Sequence, residues 1–460
     1  MPSFPPQALT TLDHLIIPSY LSGVSTFDLR GRDKAAALSR LELAAARLVT
    51  HLPFLGGDVA PAGDRDEKLN AYELRSADND RDPFLQVKEH PASTPLLING
   101  QLNAEFVPGE EVIDFSQPCP VLRLQANIVG DTLHLVSRSH HMALDGMGGS
   151  VVGNTLSQLC RNPDTPPADL PTTAAEQRRM QEHLLRMASS STPEALRWTP
   201  KPFNIAPLDM TDPRNVTLNR KYRISAGRIR RIKSACEAII RDHAPSELRD
   251  VRFSSSLVIG ALIGLCCYRA RQAAGLGDWY GPTLDVAYNI RQQLGLPATY
   301  MGNAVVTVEC QLDGQYLSSN ADILSSPDLG ISSKDLQGIC NTLLSLVPKL
   351  REYSASHVAG MLGTLNALQD RSAVQCSFRG LAYSDTHKMD FFQDYGPLGE
   401  VQSFAIPGNE FAGVCWLLAT RPGVEDYELQ VGLEGAAMGE LERDALLKWV
   451  GEIREAGSRL

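Results

Sequence analysis

Nine of the chain's 29 prolines fall between Pro163 and Pro213. Proline has no backbone N–H and a fixed φ, so such a stretch cannot run through a sheet interior or one unbroken helix. It reads as a crossover interrupted by a helix over 174–188. The 460 residues also exceed what one ordinary core holds. The organisation expected is a first domain over 1–162, a linker over 163–215 and a second domain over 216–460.

Helical and strand periods occur on both sides of the crossover. Before it, Leu38, Leu41, Leu43, Ala45 and Leu48 recur near helical spacing over 34–52. Two extended segments, 121–128 and 132–139, are separated by Gly130-Asp131, a hairpin turn. A helix over 150–159 follows. After the crossover the pattern predicts a strand over 221–224 and helices over 227–242 and 257–271, the latter capped from Ser254-Ser255-Ser256. Strands are expected over 284–288, 304–310, 377–383, 414–420 and 427–433, and a last helix over 439–455. The fold class expected is mixed α/β (α+β), with no sequence repeat between the halves.

Charge and apolar patterning exclude several functions. Lys and Arg total 43 and Asp and Glu total 53, a net charge of −10. Nucleic-acid binding needs clustered cations, so it is not expected. The longest apolar run, 256–267, stops at Tyr268-Arg269-Ala270-Arg271. It is shorter than the roughly 20 residues of a membrane-spanning helix. The first cationic residue is Arg30, so the opening residues do not read as a secretory signal. Nine cysteines without a C-x-x-C spacing read as reduced thiols of a cytoplasmic protein. A monomer is expected, since no heptad pattern appears.

The sharpest local feature is His140-His141-Met142-Ala143-Leu144-Asp145-Gly146, placed directly after a strand. An imidazole titrates near 6.5 and can take a proton from a hydroxyl or amine. A carboxylate four residues on, at a turn closed by glycine, can fix the loop that aims it. Adjacent histidines on a strand face opposite ways, which disfavours a shared metal ion. No G-x-S-x-G is present and no cysteine has a base beside it in sequence. Direct general-base transfer is therefore favoured over a covalent acyl-enzyme. The alternative is that His140, His141 and Asp145 only satisfy one another at a buried turn.

The heptapeptide and five further segments, in order, resemble the BAHD acyltransferase superfamily and its fungal trichothecene O-acetyltransferase-like branch. Those segments are Leu52-Pro53-Phe54-Leu55-Gly56-Gly57, Pro120-Val121-Leu122-Arg123-Leu124-Gln125, Asn289-Ile290-Arg291-Gln292-Gln293-Leu294, Tyr300-Met301-Gly302-Asn303-Ala304 and Asp394-Tyr395-Gly396-Pro397-Leu398-Gly399. The opening Leu9-Thr10-Thr11-Leu12-Asp13 points to the fungal branch. The resemblance implies two chloramphenicol-acetyltransferase-like domains, each a mixed sheet with flanking helices, facing across a tunnel. It implies transfer of an acyl group, most simply acetyl, from acyl-CoA to a hydroxyl or amine of a fungal secondary metabolite. Acyl-CoA is then a co-substrate, with no bound cofactor and no metal.

By that resemblance His141 is the general base, and Asp145 points away from substrate and pairs with Arg291. Arg291 is also grouped with Ser254 and Ser255 as a candidate coenzyme A contact. Asp394 belongs to an element counted with the active site, although an Asp at a glycine-rich turn more simply bonds local amides. The chain departs from the family pattern at Tyr395, at Asn289, at Gln293 and at Gly264.

Arg228, Arg230, Arg231 and Lys233 could meet phosphates, but a solvated helix face explains them as well. His243, His357 and His387 have no partner visible in sequence. Three rivals stay open. One is a free-standing condensation enzyme taking a carrier-bound donor, one a cyclase using the same base, and one a non-catalytic metabolite-binding relative.

Overall fold

A computed structural model describes residues 2–63, 66–77, 83–98, 100–109, 113–194, 212, 214–277, 280–317, 330–374, 380–408 and 412–454. Two large sheets organise it. The first orders Ser403–Ala405, Tyr20–Asp28, Thr132–His140, Leu122–Val129 and Leu85–His90. Its neighbours are antiparallel except Leu85–His90, which runs parallel to Leu122–Val129. The hairpin at its centre turns at Gly130, whose φ of 61° a side chain would oppose. Thr132 then pairs with Val129 and Ser139 with Leu122.

That register sets the faces. Leu122, Leu124, Leu133 and Leu135 bury against helices α1 (Lys34–His51) and α2 (Gly146–Arg161). On the other face Val136 packs with Leu96 and Phe106, while His134 and Arg138 are also buried. Both faces are covered, as in a sheet interior.

Helix α3 (Ala174–Ser190) lies in the crossover, opened by a Thr173–Glu176 capping box. Residues 195–211 of the expected linker lie outside the described residues. The second sheet orders Val305–Gln311, Thr283–Asn289, Leu381–Asp385, Val414–Leu418, Tyr427–Glu434, Thr217–Ile224 and Gly451–Arg454. Thr283–Asn289, Leu381–Asp385 and Val414–Leu418 run parallel to one another. Helix α4 is Ala226–His243 and α5 is Ser255–Ala273. The apolar run of α5 is buried from Val258 to Cys267, so it is a core helix.

The two halves exchange segments. Leu12 and Leu15, from the start of the chain, pack in the core of the second sheet. Tyr395, Leu398 and Val401, from late in the chain, pack in the core of the first, and Ser403–Ala405 extends its sheet. Helices α6 (Ser333–Glu352) and α7 (Ala355–Ala367) were not anticipated from spacing; Pro348 breaks the pattern near the end of α6.

The expected last helix over 439–455 is corrected. The chain forms α8 (Gly435–Leu441), then α9 (Ala445–Val450), then the strand Gly451–Arg454. Asp444 restarts the helix by accepting from Leu447 N at 3.0 Å, and Gly451 turns extended to pair with Ile224. In the strand expected over 377–383, residues 377–379 lie outside the described residues; the strand present is Leu381–Asp385. Among the described residues no helix is long and apolar enough to cross a membrane.

Candidate active site

The central hairpin delivers the histidine pair to a tight turn. His140 N donates to Val121 O at 2.9 Å, which keeps the strand paired to its end. His141 N then leaves the sheet and donates to Ser19 O at 2.8 Å. Ala143 N and Leu144 N both return to His140 O, closing the turn. Asp145 caps α2, its Oδ1 accepting from Gly148 N at 3.0 Å. Gly148 is needed there because a Cβ would lie 2.1 Å from Met301 O. The first turn of α2 is thus pressed against the 300–303 loop of the second half.

The ring of His141 is held in one tautomer. Its Nδ1 lies 3.3 Å from the Leu144 carbonyl oxygen. A carbonyl only accepts, so Nδ1 carries the proton and Nε2 carries the lone pair. Burial pushes the His141 pKa below the ordinary value of 6.5, and the nearby Asp145 charge opposes this without reversing it. The ring is therefore neutral near pH 7.

Asp145 has no free edge to offer a substrate. Its Oδ1 also takes Arg291 Nη2 at 2.8 Å, and its Oδ2 takes Ala304 N at 3.2 Å. Arg291 is in turn spread over Tyr300 O (2.9 Å), Gly302 O (3.0 Å) and Asn289 Oδ1 (3.4 Å). The structure thus brings Arg291 to Asp145 and ties the guanidinium into the loop. Asn303 adds a contact that spacing did not reveal: its Nδ2 donates to His141 O at 2.9 Å and Met142 O at 3.0 Å.

No family model matches this chain. Individual proteins do, over nearly its whole length. Communesin N16 acyltransferase cnsK of Penicillium expansum is 27% identical over 97% of this chain and 98% of that protein. Fumigaclavine B O-acetyltransferase easN of Aspergillus fumigatus is 25% identical over 97% of each. Among solved structures, F. sporotrichioides TRI101 complexed with coenzyme A and T-2 superposes with a TM-score of 0.72 at 18% identity, covering 98% of this chain and 100% of that one. That last likeness carries the two-sheet fold alone. The chain is similar over nearly its whole length to fungal acyltransferases.

Several residues singled out for this acyltransferase lie apart from His141. Asp394 is exposed, and its carboxylate accepts from Gly396 N at 2.8 Å. Gly396 abuts Arg161, the last residue of α2, whereas His141 sits before its first turn. Sixteen helical residues separate those ends, roughly 24 Å at 1.5 Å each. Asp394 therefore shapes a turn and is not among the groups gathered at His141.

Ser254 caps α5, accepting from Leu257 N at 3.2 Å, and Ser255 opens that helix. Among the described residues no hydrogen bond joins either serine to His141, Asp145 or Arg291. The neighbouring Ser256 donates to Asp385 Oδ2 at 2.5 Å, and Asp385 Oδ1 lies 2.5 Å from His387 Nδ1. His387 therefore has a carboxylate partner. The basic face of α4 is a solvated one: Arg228 lies over Trp449, Arg230 meets Glu425 at 3.4 Å and Lys233 meets Glu237 at 3.8 Å.

His140 is fully buried against Tyr20 and Phe115. Burial pushes its pKa down to about 3, so it stays neutral. Five of the described cysteines are held as neutral thiols, which are poor nucleophiles. Burial pushes Cys160 and Cys310 up to about 12 and raises Cys266 and Cys267, while a hydrogen bond with Cys340, and then burial, raises Cys236. No group of three His, Cys, Asp or Glu among the described residues is placed to hold a metal ion.

Proposed function

We propose that the chain transfers an acetyl group from acetyl-CoA to a hydroxyl of a fungal secondary metabolite, with His141 as general base. The observation that carries this is the state of the His141 ring: its proton is tied at Nδ1 to the Leu144 carbonyl and Nε2 is left with its lone pair. Nε2 takes the proton from the acceptor hydroxyl as its oxygen attacks the thioester carbonyl. Collapse of the tetrahedral adduct expels the coenzyme A thiolate, which takes that proton back. Full-length likeness to named fungal O-acetyltransferases supports acetyl as the group and a hydroxyl as the acceptor. An amine is the second reading, favoured by the relative named for position N16 of communesin. The same lone pair serves either acceptor.

Asp145 and Arg291 act beneath the histidine, holding its loop rather than carrying a proton. Ser254 and Ser255, at the start of α5, are retained as coenzyme A contacts on the resemblance alone. The reading extends to a cytoplasmic monomer taking both substrates from solution; the eight described cysteines are all buried and unbridged, as in a reducing compartment.

The test is thiol release from acetyl-CoA in extracts of fungal metabolites, with wild type and His141→Ala side by side. Release by wild type alone, with an acetylated product found by mass, supports the reading. Release only from an acyl-carrier donor would transfer it to the condensation enzymes, and acceptor cyclisation without thiol release to the cyclases.

A further inference from the structure

We propose that Asp13 is a positioning residue that, through Asn303, sets the place of His141 at the reacting centre. The proposal rests on His141 being the base, as argued above. Asp13 is buried in a short 3-10 turn, Asp13–Leu15. Four donors converge on its carboxylate. Thr10 N and Thr10 Oγ1 reach Oδ2 at 2.7 Å each, and Asn303 N and Nδ2 reach Oδ1 at 3.0 Å each. Asn303 Nδ2 then reaches the carbonyl oxygens of His141 and Met142.

The carboxylate decides which way that amide faces. Around Asn303 Nδ2 stand three acceptors: Asp13 Oδ1, His141 O and Met142 O. A flipped amide would aim its oxygen at all three, so only the donating orientation is compatible with an ionised Asp13. The same amide leaves its oxygen buried with no partner, an unfavourable state that the orientation accepts. The short segment 13–19 therefore grips the His141 peptide on both sides. Ser19 O takes His141 N directly, and Asp13 holds His141 O through Asn303.

The grip is anchored outside the first sheet. Leu12 and Leu15, flanking Asp13, pack in the core of the second. Packing between the halves is thus transmitted to the atom that must lie near both substrates. A displacement of about 1 Å there can lower a rate by about 100-fold.

Protonation gives a second handle. Burial outweighs the four hydrogen bonds and raises the Asp13 carboxyl to about 6. Below that pH it becomes a neutral acid with fewer acceptor sites, and the hold on Asn303 weakens. The ionisable groups around it stay fixed over this range. His14 has both ring nitrogens engaged, by Thr10 O and Tyr72 N, and stays neutral with a pKa of about 4. Tyr300 is raised above its ordinary value, and behind it the Asp145–Arg291 pair stays joined.

The test uses Asp13→Ala, Asp13→Asn, Asn303→Ala and the Asp13→Ala/Asn303→Ala double variant, with acetyl-CoA as donor. Each single variant is expected to lower kcat about 10- to 100-fold with KM for acetyl-CoA within about two-fold. The double variant is expected to fall no further than the worse single one, because both act through one link. Additive losses, or a KM change with kcat intact, would overturn the proposal.

Carbethoxylation of His141 by diethyl pyrocarbonate, located by peptide fragmentation, is measured in parallel with half-buried His243, at the end of α4, as reference. It needs no acceptor. The His141 rate is expected to change at least three-fold relative to His243 in Asp13→Ala, and an unchanged rate in folded protein overturns the proposal. If wild type shows no turnover, the acyl-transfer reading fails while this arm still decides Asp13. Should the Asp13 variants not fold, Thr10→Val removes one donor from the carboxylate. The acid limb of His141 reactivity is then expected to move to higher pH, which loss of mere structural support would not cause; an unmoved limb counts against the proposal.

Discussion

Arg291 Nη2 lies 2.8 Å from Asp145 Oδ1, and the pair joins the two halves of the molecule. Arg291 follows the Thr283–Asn289 strand of the second sheet, while Asp145 caps α2 on the first. Their side chains are 4% and 2% exposed, so neither charge has water to fall back on. Such a pair is weak evidence of net stabilisation, but breaking it leaves a buried charge uncompensated.

Arg291→Ala is therefore expected to lower the unfolding free energy by about 3–5 kcal/mol, measured by urea titration. Arg291→Lys should recover only part of this, because one ammonium cannot reach Asp145 Oδ1, Tyr300 O and Gly302 O with a guanidinium's fork. A loss below about 1 kcal/mol for the alanine variant would mean that Gly148 N and Ala304 N alone satisfy the carboxylate.

His141→Ala is expected to lower kcat by about 10²- to 10⁴-fold while leaving the thermal midpoint within a few degrees. The ring's pKa lies below 6.5 because burial disfavours its charge. The active, neutral form is therefore lost as pH falls, and the acid limb of kcat/KM lies below pH 6.5. Near-normal turnover in the alanine variant would remove the base assignment.

Three other buried histidines link stability to pH. His14 and His134 are pushed down to about 4 and His140 to about 3, in each case chiefly by burial. These folded values lie below the unfolded value of about 6.5, so on acidification the unfolded chain binds protons that the native one does not. Each histidine then removes about 1.4 kcal/mol per pH unit as pH falls from 6.5 toward its folded value. Asp13 works the other way: raised to about 6, it binds its proton first in the native state and offsets about one histidine between pH 6 and 4. Unfolding free energy measured in urea should fall steeply between pH 6.5 and 5, and His134→Gln should make that fall shallower. Parallel profiles for wild type and His134→Gln would show that His134 is charged in the native state.

The parts legible in the sequence are those written in neighbouring residues. The hairpin is carried by a two-residue turn at Gly130 between alternating segments, and the loop that presents His141 by a histidine pair, a carboxylate and a glycine within seven positions. What escapes spacing is partnership across the chain. Asp13 meets Asn303 across 290 positions, and Asn303 meets His141 across 162, with no local period to announce either. The strand Ser403–Ala405 crosses back to the first sheet for the same reason: its partner, Tyr20–Asp28, lies near the other end of the chain. Local signals also mislead where one residue has two uses. Asp444 sits within a continuous helical pattern yet restarts the helix as a cap.

Two adjacent glycines of α2 should respond in opposite ways. A Cβ at Gly148 would stand 2.1 Å from Met301 O and 3.0 Å from Met301 C, which are backbone atoms that cannot rotate aside. A Cβ at Gly149 would meet nothing within 4 Å. Both positions are helical, where alanine is favoured over glycine by about 1 kcal/mol. Gly149→Ala is therefore expected to be neutral or to stabilise by up to about 1 kcal/mol, with turnover unchanged. Gly148→Ala must push the 300–303 loop off the first turn of α2, an overpacking penalty of about 1–3 kcal/mol. That loop carries Asn303, so the displacement also reaches the His141 carbonyl, and kcat should drop by more than the stability loss implies. Equal thermal midpoints and equal turnover for the two variants would show that the loop yields freely and does not hold the histidine in place.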